Sequence, residues 1–139
     1  MTHDWPVRVY YEDVDLAGIV YYANYFRYLE RARTEWVRAL GIDQGRLKDE
    51  QGIVFAVRRL EAEYLAPARF DDLLAVRTEV LSAAGARIEL GQDVWRGGTR
   101  LLAARVTLVA LGAQGRPVRL PGVLSAGLRM PGRVLSAEK

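Results

Sequence analysis

The sequence has no cysteine and only one histidine, His3, among its 139 residues. Without cysteine, the chain has no disulfide, no thiolate metal ligand and no cysteine nucleophile, whereas its redox compartment is left open. His3 lies at the N-terminus, which we expect to be frayed and exposed to solvent. A Ser-His-Asp triad and a histidine-rich zinc site are therefore not expected. Acid–base chemistry in this chain would rest on carboxylates, tyrosine, lysine or water.

Long apolar runs and a large excess of charge are also missing. No stretch approaches the roughly 20 apolar residues that span a bilayer, and the first residues do not resemble a signal peptide. The net charge of +3 is too small by itself to indicate a nucleic-acid partner. We expect a cytoplasmic protein with one domain over residues 1–139, without nucleic acid or membrane insertion, and with a less ordered tail from about residue 122.

The apolar pattern predicts one long helix followed by a sheet. Apolar residues recur at helical spacing from Tyr22 to Leu40, and Gly41 follows as the residue that ends the helix. A first strand is predicted at Val7–Glu12, before this helix. A short helix is predicted over 43–51, and the remaining strands over 53–65, 73–83, 86–95 and 101–111.

The connections between the later strands are short, which favours antiparallel pairing. The predicted fold is therefore α+β, with about five mostly antiparallel strands wrapped around one long central helix. A sheet of this kind leaves an edge strand exposed. Pairing two such edges would extend the sheet into a dimer of two identical chains.

An acidic loop lies directly before the predicted helix, in the segment from Tyr11 to Tyr25. Asp13 and Asp15 are next to the helix N-terminus, where unpaired backbone N–H groups and the helix dipole favour negative charge. Gly18 permits a tight turn or a close approach of substrate to the backbone. A carboxylate and an N–H that stabilises an oxyanion, within one short segment, form a minimal hydrolase site.

The charged residues of this chain also have purely structural interpretations. Asp15 could cap the following turn, and Asp13 could hold the loop through hydrogen bonds to backbone N–H groups. We favour a reacting carboxylate for Asp15 and a structural role for Asp13. Arg58, Arg59 and Arg87 lie on predicted strands, where a solvated charge is the more common role and contact with an anionic ligand is the alternative.

The acidic loop resembles the motif of the hotdog-fold acyl-CoA thioesterases. The resemblance is to the 4-hydroxybenzoyl-CoA thioesterase-like branch, which includes the Tol–Pal-associated acyl-CoA thioesterases. The characteristic positions of the motif are held by Asp13, Asp15, Gly18, Val20, Tyr21 and Tyr25. Three further blocks agree in order, over residues 30–35, 55–59 and 63–72. The resemblance covers the chain from about residue 7 to residue 118.

This resemblance implies a thioester hydrolase that acts on an acyl-CoA without a metal or an organic cofactor. It implies that Asp15 acts as a nucleophile or as a base that activates water. It also implies that the backbone N–H of Tyr22 stabilises the oxyanion, with Asp13 supporting the site. The expected substrate contacts are Gly18, Val20, Tyr25, Arg58, Arg59 and Arg87. Family members place the site at a dimer interface, so we expect a homodimer or a dimer of dimers.

Two features depart from the family pattern. The Tol–Pal-associated members usually carry a histidine at the position of Tyr22, whereas the aromatic branch carries an aromatic residue there. The turn over residues 82–87 lacks the basic cluster that some relatives use against coenzyme A phosphates, and only Arg87 remains. Two alternatives stay open at this point: an acyl-acyl-carrier-protein thioesterase on the same fold, and a non-catalytic basic binding module.

Overall fold

The computed structural model describes residues 2–127 as one antiparallel sheet with a long helix packed on it. Its elements are β1 Thr2–Arg8, α1 Asn24–Ala39, α2 Gln44–Gln51, β2 Val54–Tyr64, β3 Leu73–Ala84, β4 Arg87–Arg96, β5 Thr99–Leu111 and α3 Gly122–Gly127. The strand order is β1-β3-β4-β5-β2, and every neighbouring pair is antiparallel. The predicted α+β fold is confirmed. No helix within residues 2–127 is long and apolar enough to cross a membrane.

The central helix α1 is held by the apolar face that its sequence spacing predicts. The residues buried on this face are Tyr25, Tyr28, Leu29, Ala32, Trp36 and Val37. The first four share a core cluster with sheet residues such as Val76 of β3, and the last two share a second cluster with residues such as Val80 of β3. Burying one such aliphatic side chain contributes about 1.5–3 kcal/mol to folding. The helix ends where predicted, before Gly41, which adopts a left-handed φ of 86°.

One polar residue, Gln92, lies fully buried between α1 and the sheet. Its side-chain amide donates to the carbonyl of Leu29 at 3.1 Å and to the hydroxyl of Thr78 at 2.9 Å. Its side-chain oxygen accepts from the Arg33 guanidinium at 2.9 Å. Burial lowers the pKa of Arg33, but an arginine remains charged. These contacts fix the position of α1 along the sheet, because a shift of the helix would leave buried polar groups unpaired.

The N-terminal prediction is wrong in two respects. The first strand was expected over Val7–Glu12, but β1 begins earlier and pairs along its whole length with β3, with His3 opposite Thr78. From Thr2 onward the chain is therefore held in the sheet rather than frayed, and His3 is half-buried rather than exposed to solvent. The strand ends early because the Asp13 carboxylate accepts a hydrogen bond from the Tyr10 N–H at 2.8 Å. This bond turns the chain into a short 3₁₀ helix before the acidic loop.

The chain after β5 returns to the core. Leu120 and Leu124 are buried beside Trp36 of α1, and α3 begins at the start of the predicted less ordered tail. The rest of that predicted tail, residues 128–139, lies outside the described residues; it includes Arg129 and Arg133.

Candidate active site

The acidic loop, the start of α1 and the end of β2 surround an apolar cavity of about 460 Å³. Asp15, Val20, Tyr22 and Tyr25 line it together with residues 64–67. The structure thus brings four of the predicted site residues to one place. Among residues 2–127, no group of three or more acidic or histidine side chains is arranged to hold a metal ion.

Asp15 begins a tight turn that projects from the body of the protein. Its carbonyl accepts from the Gly18 N–H at 2.9 Å, and its N–H donates to the carbonyl of Ile19 at 3.0 Å. Gly18 adopts a left-handed φ of 80°, which glycine tolerates without strain. One carboxylate oxygen of Asp15 accepts from the Ala17 N–H at 2.9 Å. Within residues 2–127 the other oxygen has no hydrogen-bond partner, so it is available to a substrate.

Asp13 holds the loop against α1 through both its side chain and its backbone. Besides the carboxylate contact to Tyr10, its carbonyl accepts from the Tyr21 N–H at 3.0 Å and from the Asn24 side-chain amide at 2.8 Å. Asp13 does not line the cavity that contains Asp15. Sequence reasoning missed Asn24, although asparagine is typical of the first residues at a helix start.

The helix begins at Asn24, two residues later than the apolar spacing predicts. The Asn24 N–H donates to the carbonyl of Tyr21 at 2.8 Å, and the Phe26 N–H donates to the carbonyl of Ala23 at 3.2 Å. No hydrogen bond to the N–H of Tyr22 occurs within residues 2–127. This N–H belongs to the turn just before the N-cap residue Ala23, and Tyr22 lines the cavity.

Two tyrosines form the aromatic wall of the cavity. The buried Tyr25 hydroxyl accepts from the Ala68 N–H at 3.1 Å, and its ring meets the ring of Tyr64 edge-on at 5.5 Å. The Tyr64 hydroxyl donates to the carbonyl of Tyr22 at 2.9 Å. Burial is the main cause that raises the pKa of both hydroxyls, so both stay protonated at neutral pH. Sequence reasoning did not assign Tyr64 to the site, although Tyr64 is an aromatic residue at a strand end and lies in the family-like block over residues 63–72.

The remaining wall is a loop that follows β2 and is tied to the acidic loop. The Val20 N–H donates to the carbonyl of Ala68 at 2.8 Å. The Asp72 carboxylate accepts from the Arg69 N–H and from the Arg96 guanidinium, both at 2.9 Å. Desolvation would raise the pKa of Asp72, but these two hydrogen bonds and the arginine charges outweigh it and lower the pKa.

The three predicted arginine contacts lie apart from this cavity. They share a second cavity of about 380 Å³, lined by Arg58, Arg59, Glu61, Arg87, Glu89, Arg105 and Thr107. Arg59 pairs with Glu61 at 2.7 Å and Arg105 with Glu89 at 3.8 Å. Among residues 2–127, Arg58 and Arg87 have no ion-pair partner. The group therefore carries a net positive charge, and its contact with substrate stays a prediction.

A family model described as the thioesterase superfamily matches residues 17–103, most of the chain and all of the aromatic wall. The chain belongs to the thioesterase superfamily. It is accordingly an enzyme, a thioester hydrolase. Among curated proteins, this thioesterase is 44% identical over 124 residues to the acyl-CoA thioesterase YbgC of Haemophilus influenzae, a match that covers 88% of this chain and 90% of the relative.

Solved structures share the fold of this thioesterase. A probable thioesterase from Bartonella henselae has a TM-score of 0.83 and 34% identity, with 87% of this chain and 100% of that chain covered. A variant of a 4-hydroxybenzoyl-CoA thioesterase, in complex with 4-hydroxybenzoyl-CoA, has a TM-score of 0.82 and 23% identity, with 89% and 96% covered. The predicted resemblance to the hotdog-fold thioesterases is confirmed.

Proposed function

We propose that this thioesterase hydrolyses an acyl-CoA to a free carboxylic acid and coenzyme A, with Asp15 as the reacting carboxylate and the Tyr22 N–H as the oxyanion donor. The observation that carries the proposal is that Asp15 and Tyr22 both line one apolar cavity. The Haemophilus influenzae relative is named an acyl-CoA thioesterase, which supports the choice of carrier.

The cavity gives the carboxylate two possible routes, and both break the same C–S bond. In the first, Asp15 attacks the thioester carbonyl carbon, the thiolate leaves, and water hydrolyses the resulting mixed anhydride. In the second, Asp15 takes a proton from a water molecule that attacks the carbonyl. The Tyr22 N–H stabilises the oxyanion in either route, an interaction worth about 10²–10³ in rate. Neither route needs a metal or an organic cofactor.

The cavity suits an acyl group, because its lining is largely aromatic and aliphatic and its volume is that of a small-molecule site. Val20 and Tyr25, which line the cavity, are the proposed contacts of the acyl end, and Gly18, in the turn that begins at Asp15, is a proposed substrate contact outside the cavity lining. Arg58, Arg59 and Arg87 are the proposed contacts of the phosphates, at the opposite end of the substrate.

We also propose that the working form is a homodimer or a dimer of dimers. The two edges of the sheet differ in their ability to pair. Pro6 lies within β1 and cannot donate a backbone hydrogen bond, which protects that edge. The other edge, β2, has 11 residues without proline and carries exposed Val54 and Val57. Because β2 ends at Tyr64 in the cavity wall, pairing there would bring a second copy close to the site.

A second candidate carrier is an acyl carrier protein. The net positive group around Arg58 and Arg87 favours an acidic partner. The two carriers are distinguished by comparing kcat/KM for one acyl chain on coenzyme A and on the carrier protein at low and high salt. A purely binding role without chemistry would appear as affinity for an anionic ligand with no hydrolysis.

The test of the proposed function is thiol release from a panel of short, long and aromatic acyl-CoAs. We expect hydrolysis of at least one class, with kcat/KM in the enzymatic range of about 10⁴ M⁻¹s⁻¹ or more. If only acyl chains on the carrier protein are hydrolysed, the proposed carrier becomes the acyl carrier protein instead of coenzyme A. No hydrolysis of any thioester would overturn the proposal.

A further inference from the structure

We infer that Tyr64 is a positioning residue that fixes the oxyanion-binding backbone at the start of α1. The inference rests on the proposed function, since it assigns the Tyr64 hydroxyl a part in placing the Tyr22 N–H. Tyr64 is far from Tyr22 in sequence, and the two residues meet only because the end of β2 lies beside the helix start.

The Tyr22 carbonyl is not part of the regular hydrogen-bond ladder of the helix. In an α-helix it would accept from the N–H four residues on, which is that of Phe26. The Phe26 N–H instead donates to the carbonyl of Ala23, one residue closer. The Tyr22 carbonyl therefore lacks this helical hydrogen bond, and it accepts one from the Tyr64 hydroxyl at 2.9 Å instead.

The two peptide units on either side of the Tyr22 Cα are thus held separately. The first unit joins the Tyr21 carbonyl to the Tyr22 N–H, and its carbonyl accepts a hydrogen bond from the Asn24 N–H at 2.8 Å. The following unit begins with the Tyr22 carbonyl, which accepts from Tyr64. Without the second bond, only the hydrogen bond between Tyr21 and Asn24 holds this turn, and the orientation of the Tyr22 backbone is less tightly fixed. A donor that must meet a developing oxyanion loses effect when it is misplaced.

The hydroxyl of Tyr64 is aimed by the packing of its ring. The ring meets Tyr25 edge-on at 5.5 Å and Tyr22 edge-on at 6.4 Å. Tyr25 is itself fixed by its hydrogen bond with Ala68. A phenylalanine at position 64 would keep both ring contacts and remove only the hydroxyl. The role of the hydrogen bond is therefore separable from the role of the ring in folding.

The substitution Tyr64→Phe isolates this hydrogen bond. We expect kcat and kcat/KM for the best acyl-CoA to fall together by roughly tenfold, because the N–H that stabilises the transition state is less well placed once the Tyr64 hydrogen bond is lost. KM should stay within about twofold of wild type and the unfolding temperature should be unchanged. The matched control is Tyr11→Phe, which removes the hydroxyl of an exposed tyrosine. The Tyr11 ring contacts Phe70, outside the cavity.

Two non-hydrolysable analogues separate positioning from general loosening of the site. One is an acyl-CoA in which a methylene group replaces the sulfur, so that the carbonyl is kept. The other is an alkyl-CoA thioether, which has no carbonyl. We expect Tyr64→Phe to weaken binding of the ketone by no more than about twofold, as for KM, and to leave the Kd of the thioether unchanged. Equal weakening of both analogues, or a lowered unfolding temperature, would mean a structural role and would overturn the inference.

The outcomes also separate this inference from the proposed function. If the wild type is active and Tyr64→Phe has the same kcat, the positioning role is overturned and the thioesterase proposal stands. A wild type that hydrolyses no thioester would overturn both.

Discussion

Asp13 and Asp15 are separated by one residue, yet the backbone surrounds their carboxylates with different partners. The Asp13 carboxylate accepts a hydrogen bond from the Tyr10 N–H, and the Asp13 backbone carbonyl accepts one from the Asn24 side chain at the start of α1. One oxygen of the Asp15 carboxylate accepts a hydrogen bond from the Ala17 N–H, and Asp15 lines the cavity. Capping and the proposed reaction are therefore compatible for Asp15, because the hydrogen bond from the Ala17 N–H uses one of its two carboxylate oxygens.

Asp71 is the one described residue other than glycine with a left-handed backbone, at a φ of 70°. This conformation costs most residues about 1–2 kcal/mol, whereas glycine adopts it freely. We expect Asp71→Gly to unfold at higher urea concentration than Asp71→Ala, with a difference of about 1–2 kcal/mol in the free energy of unfolding. Both variants remove the same carboxylate, so the comparison isolates backbone strain. Equal stability of the two would show that the turn is not strained.

At the scale of elements, the loop between β2 and β3 depends on the ion pair of Asp72 with Arg96. The pKa of Asp72 is lowered in the folded state. Its stabilising effect is therefore complete above the unfolded pKa of about 4 and is lost as the pH falls through the lower folded value.

We expect Asp72→Asn to reduce the free energy of unfolding at pH 7 by roughly 1–2 kcal/mol, because charge-assisted hydrogen bonds are lost. The gap between variant and wild type should narrow as the pH falls below about 4. Urea unfolding of both proteins between pH 3 and pH 7 measures it. A gap that is constant over this range would mean that the Asp72 charge contributes nothing.

The elements that the sequence predicted well are those bounded by local signals. The four later strands begin and end within two residues of the predicted bounds, because turns that contain proline or glycine separate them. The predicted start of α1 was wrong, because the Asp13 carbonyl accepts from the Tyr21 N–H and keeps Tyr21 outside the helix. The spacing of apolar residues carries no information about a backbone contact of this kind. The contact between Tyr64 and Tyr22 was missed for the same reason, since it joins residues that are distant in sequence.

At the scale of the whole molecule, the sheet has one protected edge and one open edge. Val57 on β2 is 47% exposed, and Val123 on α3 is 42% exposed. We expect Val57→Lys to shift the protein toward the monomer, because a buried lysine at a paired edge is costly. Analytical ultracentrifugation over a range of concentrations measures the change.

Val123→Lys is the matched control for this prediction, because it makes the same substitution at a valine of similar exposure away from β2. It should leave the oligomeric state unchanged. A wild type that is monomeric at all concentrations, or a Val57→Lys variant with the wild-type mass, would contradict pairing through β2.

The account as a whole depends on the carboxylate of Asp15, and the most direct measurement is the kcat of Asp15→Asn on an acyl-CoA that the wild type hydrolyses. Asparagine keeps an oxygen that can accept from the Ala17 N–H, so the loop and the unfolding temperature should be retained. Asp49→Asn, on α2, is the control for a carboxylate outside the cavity. We predict that kcat falls by at least about 10²-fold in Asp15→Asn and is unchanged in Asp49→Asn. Hydrolysis by Asp15→Asn at the wild-type rate would contradict the account.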